Sequence, residues 1–210
     1  MNKSKFLCSF LFIVLFGITT ITVVIILNSE NNSAYSQRVL QTYENDKYEI
    51  KLQYPANWDI FEYQDFVDET GELVVRLHPF EKNHPSIFLL VHFLSPENAT
   101  LQSFTKQYLK SIQTPIVEGG EGGDKIKILS QNSSVTLGGL PAHQIVYEIT
   151  LTGMSGESHT SKTMEIWTVL ETEAYELSFK TSSEENKDQQ YDQYLKTAEK
   201  IIDSFEFTRL

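Results

Sequence analysis

The chain is nearly without cysteine: its 210 residues hold one, Cys8, and that one lies inside an apolar leader. No disulfide, thiol nucleophile or thiolate metal site is available to the remainder, whose stability must come from burial. Basic charge is also scarce. Of 17 Lys and Arg and 28 Asp and Glu, residues 1–36 take Lys3, Lys5 and Glu30, leaving 15 against 27 and a net charge of −12. Such a surface repels nucleic acid and anionic lipid. Solubility and self-avoidance account for the acidity more simply than a cation-attracting surface does. Catalytic and nucleotide motifs are missing too. Gly153-Met-Ser-Gly-Glu157 places Glu157 where a hydrolase elbow needs glycine, and reads as an exposed turn. The glycine-rich stretch 119–123 lacks the Gly-Lys-Ser/Thr ending that grips phosphate.

What is present begins with the leader. Lys3 and Lys5 precede an apolar run, residues 6–27, whose 22 positions are enough to cross a hydrocarbon core needing about 20 residues. Two readings of residues 1–36 stand: a retained membrane anchor, or a signal peptide cleaved after the small-x-small sequence Ala34-Tyr35-Ser36. Both put the rest outside the cytoplasm, membrane-anchored or secreted, because the lysines precede the run and no second run follows. Cys8 sits near the start of the run rather than at its distal end, which argues against lipid attachment. Residues 37–42 read as a short tether and residues 43–210 as one domain. In an exported chain the sequons at Asn31, Asn98 and Asn132 are glycan acceptor candidates.

Along the domain, Tyr43 and Tyr48 bracket a polar turn, and Tyr48, Ile50, Leu52 and Tyr54 alternate with polar residues as in a strand with one buried face. Pro55 and Asn57 then turn the chain into Trp58, an expected buried anchor. Residues 73–77 and 87–94 read as strands, the second apolar except for His92 and so expected to be central and covered on both faces. The link 78–85 reads as a surface loop. Ser95-Pro96 opens an expected amphipathic helix on Leu101, Phe104, Tyr108, Leu109 and Ile112, which Thr114-Pro115 ends. Residues 125–137, 145–151, 163–170 and 175–179 read as strands, the last three in meander order, with a turn at 138–141. Ser182 and Ser183 open a last helix that buries Tyr191, Tyr194, Leu195, Ala198, Ile201, Ile202 and Phe205. Strands, helix, strands, helix is the pattern of an antiparallel sheet with helices packed on it, in the α+β class.

Two regions in this order also carry a family resemblance. Tyr48-Glu-Ile-Lys-Leu-Gln-Tyr-Pro-Ala-Asn-Trp58 resembles the entry strand, Tyr-Pro and Trp of the PsbP family, the extrinsic photosystem II subunit and its non-photosynthetic relatives. Ala174-Tyr-Glu-Leu-Ser-Phe179 and Ile201-Ile-Asp-Ser-Phe-Glu-Phe207 resemble its closing strand and helix end, and Leu137-Gly-Gly-Leu-Pro-Ala-His-Gln144 a recurrent turn. The resemblance spans about residues 43–208 and implies an α-β-α sandwich around a central antiparallel sheet. It implies no photosystem role here, since the plant members' N-terminal arm is replaced by the short tether. It transfers no binding residue.

Two constellations are candidate cation sites. His78, His84 and His92 come from two expected strands and their link, but no helical or hairpin spacing makes them converge. Glu118, Glu121 and Asp124 are three carboxylates in a glycine-rich loop without the spacing of a calcium loop. No catalytic, cofactor-binding or metal-ligating residue is assigned, and no cofactor is expected. The expected function is a non-enzymatic, extracytoplasmic PsbP-like protein that binds an unidentified protein partner or stabilises a membrane-associated complex. Its alternatives are a small-ligand or metal-ion carrier of calcium or manganese type, and a hydrolase with a dispersed site.

Overall fold

The computed structural model describes residues 39–63, 71–80, 84–113, 125–152, 157–181 and 186–209. The leader run, the loop 118–124 and the helix entry at Ser182 and Ser183 lie outside them. The chain divides into a small unit, Met1–Leu40 with Pro55–Asn57, and a large one, Gln41–Tyr54 with Trp58–Leu210. Within the described part of the small unit, the Ala56 N–H donates to the Val39 carbonyl at 2.9 Å. The fold is α+β, an antiparallel sheet with two helices packed on it, as the element order implies.

In chain order the elements are β1 (Leu40–Asn45), β2 (Ile50–Pro55), β3 (Trp58–Glu62), β4 (Gly71–Pro79), β5 (Ser86–Phe93), a 3₁₀ turn (Pro96–Asn98), α1 (Leu101–Gln113), β6 (Lys125–Leu137), β7 (Leu140–Thr152), β8 (Ser158–Leu170), β9 (Glu173–Lys180), α2 (Lys187–Asp203) and β10 (Glu206–Phe207). Seven strands form one sheet in the order β3-β4-β5-β9-β8-β7-β6, and β1-β2-β10 form a second. Between them, β6 to β9 make a four-strand meander. Two-residue turns close it: Gly138-Gly139, both at positive φ, and Glu171-Thr172, with Glu171 at φ 55.

Alternation divides the large sheet into two faces. One carries Leu77, Leu89, Met164, Ile166, Tyr175, Leu177 and Phe179 into the main core, where they meet Ile50 and Leu52 of the small sheet and Tyr191, Ala198 and Ile201 of α2. Trp58 is buried there, edge-on to Tyr194 at 6.2 Å between centroids, as its anchor role required. The other face carries Ile145, Tyr147, Trp167 and Ala174 against Phe104 of α1, with Leu101, Tyr108, Leu109 and Ile112 packed around them. This helix thus turns to the sheet the residues its periodicity selects.

Several boundaries differ from the sequence reading. Helix α1 begins at Leu101, where Thr100 Oγ1 accepts the Ser103 N–H at 3.1 Å, and Ser95-Pro96 opens only the 3₁₀ turn. His78 and Pro79 belong to β4, paired with Asp59 and Trp58, rather than to a loop. β7 starts at Leu140 inside the expected turn. At the C-terminus, α2 stops at Asp203, Phe205 lies between it and β10 rather than in the helix, and Phe207 returns as sheet opposite Ile50. Ser204 makes that exit: its hydroxyl donates to the Ile201 carbonyl at 2.7 Å and accepts the Gln53 N–H at 2.8 Å.

Candidate functional site

The chemistry-bearing side chains gather on the α1 face. In β8 the alternation points Thr163, Glu165 and Trp167 toward α1, and in β9 it points Ala174, Glu176 and Ser178 the same way. Two carboxylates therefore enter the middle of a seven-stranded sheet, where Glu165 is 4% and Glu176 3% exposed. Burial at that depth is costly for an ionised carboxylate unless it is hydrogen-bonded or paired. Each has partners. Tyr147 of β7 donates its hydroxyl to Glu165 Oε1 at 2.6 Å, Tyr108 of α1 to Oε2 at 3.0 Å, and Ser178 to Oε1 at 3.4 Å. Glu176 accepts His92 Nε2–H at 2.7 Å. The His92 ring lies 5.2 Å from Phe104 and 5.9 Å from Tyr108, so α1 covers it.

The electrostatics follow from this enclosure. Burial first, and the Glu176 charge second, push the Glu165 carboxyl up to about 8 against the pull of its three hydroxyl donors. Burial and the nearby carboxylates raise Tyr108 and Tyr147 as well, so both remain protonated donors. Burial lowers His143, whose ring lies 5.1 Å from Trp167. The indole N–H of Trp167 donates to Thr105 Oγ1 at 2.9 Å, a second polar link from the sheet to α1.

Chemically, this cluster can hold and exchange a proton. A hydrolytic role would need substrate access to groups that α1 covers, and it would need a nucleophile beside a base. The Ser178 hydroxyl instead points to a carboxyl group whose burial favours its protonated form, while the imidazole is engaged by Glu176. The cluster builds the fold and binds α1 to the sheet.

Beside α1 the same face stays open among the described residues. Register carries it outward from Glu165 through Ser178, Phe88 and Arg76 to Phe61 on β3. Phe61 is 57% exposed and lies edge-on to Tyr63 at 4.9 Å. The Arg76 guanidinium sits 5.6 Å from the Phe88 ring, and its Nε–H donates to Ser86 Oγ at 3.0 Å. Phe88 and Leu90 are half-buried, so β5, expected to be covered on both faces, is fully covered on one.

The residues singled out by sequence are dispersed. His92 lies under α1, whereas His84 packs on Tyr194 of α2, across the sheet, at 5.4 Å. His78 Nδ1–H donates to the Pro79 carbonyl at 2.9 Å, and stands at the far end of β4 from Gly71, the partner of His92. Seven residues of strand separate those ends by about 20 Å. Among the described residues no three of His, Cys, Asp and Glu are placed to hold a metal. Glu118 and Glu121, with Asp124, lie outside the described residues, as do Asn31 and positions 153–156. Asn98 lies in the 3₁₀ turn and Asn132 on β6. What sequence reasoning missed is Glu165 and Glu176. Their signal was present: each is a lone carboxylate flanked by large apolar residues in a strand of the central meander.

Comparison with known proteins finds no matching family model and no matching curated protein. Solved structures do match. CyanoP, the cyanobacterial PsbP of Synechocystis sp. PCC 6803, aligns over 80% of this chain and 92% of its own at 12% identity and a TM-score of 0.56. The Ran-binding protein Mog1p of Saccharomyces cerevisiae aligns over 81% and 96% at 10% identity and TM-score 0.48. LpqN of Mycobacterium tuberculosis, involved in cell envelope biogenesis, aligns over 83% and 95% at 17% identity and TM-score 0.42. At these identities the likeness to CyanoP is one of fold.

Proposed function

We propose that this chain is a non-enzymatic, extracytoplasmic protein that binds a protein partner at a membrane surface, using the open half of its α1 face. The observation that carries the reading is the strip Phe61, Arg76, Phe88 and Leu90, an exposed aromatic and an arginine on a rigid sheet beside a helix that covers the rest of the face. Aromatic residues and arginine are the side chains that dominate the centres of protein interfaces. The acidity of the chain excludes nucleic acid as the partner. The run 6–27 supplies the tether if it is retained, or the export signal if it is cleaved. Among the described residues no helix is long and apolar enough to cross a membrane. The reading is tested by affinity capture from detergent-solubilised native membranes with the wild-type chain and with Phe61→Asp. A partner held by the wild type and lost with Phe61→Asp supports it. A partner held equally by both, or none, contradicts it.

A further inference from the structure

Asn132 and Asn98 head the two sequons that the described residues contain, and they sit in opposite environments. β6 is an edge strand of the seven-stranded sheet, and residues 129–134 along it are all exposed. Its pairing with β7 breaks just at the sequon. Asn132 pairs with Gln144 and Val135 with Ala142, so Ser133 and Ser134 together stand opposite His143 alone. That is a bulge, which frees two residues from the ladder and bends the strand away from the sheet. Within it the Asn132 Oδ1 accepts the Ser134 N–H at 2.9 Å, an Asx turn that folds the third sequon residue back toward the asparagine. The amide, the bulged backbone and the Ser134 hydroxyl are thus presented together at the rim of the molecule.

Asn98 is half-buried in the 3₁₀ turn. Its Nδ2 donates to Ser95 Oγ at 3.0 Å, and its Oδ1 accepts from Ser103 Oγ at 3.1 Å. The third residue of its sequon, Thr100, is occupied as the cap of α1. Modification of folded Asn98 would have to undo that cap.

From this contrast we propose that Asn132 is an N-glycan acceptor and that Asn98 in the folded chain is not. The proposal rests on the extracytoplasmic placement above, where glycosylation of sequons takes place. The co-reactant is a lipid-linked oligosaccharide pyrophosphate. Asn132 Nδ2 forms a bond to the anomeric carbon, the bond from that carbon to the pyrophosphate oxygen breaks with its electron pair going to the leaving lipid pyrophosphate, and one Nδ2 proton passes to a base. A glycan here also has a physical use. Edge strands invite pairing with other chains, and a bulky solvated group beside exposed Leu129 blocks that approach.

Two measurements test the site. The native chain, recovered from cell fractions, is digested and its peptides mapped by mass spectrometry. The folded full-length chain in detergent is also incubated with an oligosaccharyl transferase of relaxed sequon preference and a lipid-linked oligosaccharide, alongside Asn132→Gln, Asn98→Gln and urea-unfolded wild type. The expected result is sugar on Asn132 in exported native material and in the folded chain in vitro, abolished in Asn132→Gln, unchanged in Asn98→Gln, with Asn98 modified only after unfolding. An exported native chain bare at Asn132 overturns the proposal, as does transfer to folded Asn98 in preference to Asn132. A native chain found in the cytoplasm overturns the placement instead, and the in vitro transfer then decides for or against the site.

Discussion

Glu165→Gln isolates the most unusual energetic feature of the molecule, a carboxyl group buried among hydroxyls with a second carboxylate beside it. Glutamine keeps the shape and the hydrogen-bonding end but cannot ionise. In the wild type the folded-state value is pushed from an ordinary 4.5 to about 8. Below about 4.5 both folded and unfolded chains hold the proton and the shift has no effect on stability. From there to about 8 the unfolded chain has released a proton that the folded chain retains, so stability falls as pH rises, by about 1.4 kcal/mol per pH unit. Across the whole window the loss is on the order of 5 kcal/mol. Urea unfolding at pH 5, 6, 7 and 8, followed by tryptophan fluorescence, reads it as the difference between Glu165→Gln and wild type. Glu72 has the opposite tendency: burial pushes it up, but the hydrogen bonds from Lys47 and Tyr48 outweigh this and hold it below its ordinary value. Present in both proteins, it cancels in the difference. The variant is expected to gain steadily on the wild type from pH 5 to 8 and to level off above that. A difference that stays constant across this range would show that Glu165 ionises normally and that the enclosure by α1 is wrong.

Three further substitutions test the packing. Trp58→Ala removes a buried indole from its contact with Tyr194 and is expected to cost about 3 to 5 kcal/mol in urea unfolding, with an unchanged midpoint contradicting the anchor role. Gly138→Ala and Gly139→Ala separate strain from collision: both sit at positive φ, but a Cβ on Gly138 meets the Phe207 ring at 2.7 Å, whereas one on Gly139 meets nothing within 4 Å. Gly139→Ala should therefore cost about 1 kcal/mol and Gly138→Ala clearly more, and equal melting temperatures for the two would refute the packing of β10 over this turn.

The sequence disclosed most of the strands because each half-buried strand writes its alternation into a few consecutive residues, as Tyr48 to Tyr54 do. It disclosed both helices because Leu101 to Ile112 and Tyr191 to Ile202 repeat at helical spacing. It concealed β10, since Phe205 happens to continue the helical period of α2 although the chain leaves the helix at Ser204 to lay Phe207 against Ile50. Proline hides two strand ends: Pro79 and Pro141 sit at the last and second positions of β4 and β7, where they are tolerated. The polar cluster was hidden for a different reason. Glu165, Glu176, Tyr108, Tyr147 and His92 come from five elements, and only the register of β5, β9, β8 and β7 brings them under one helix. The open strip is equally non-local, since Phe61, Arg76 and Phe88 become neighbours only through the pairing of β3, β4 and β5. That pairing also separates the three histidines that sequence proximity had grouped.

The most direct test of partner binding through the open face is site-specific photocrosslinking in native membranes. A photoreactive side chain at Phe61 is compared with one at Lys200, an exposed position on α2. A discrete crosslinked protein is expected from position 61 and not from position 200. No adduct from position 61, or the same adducts from both positions, would contradict it.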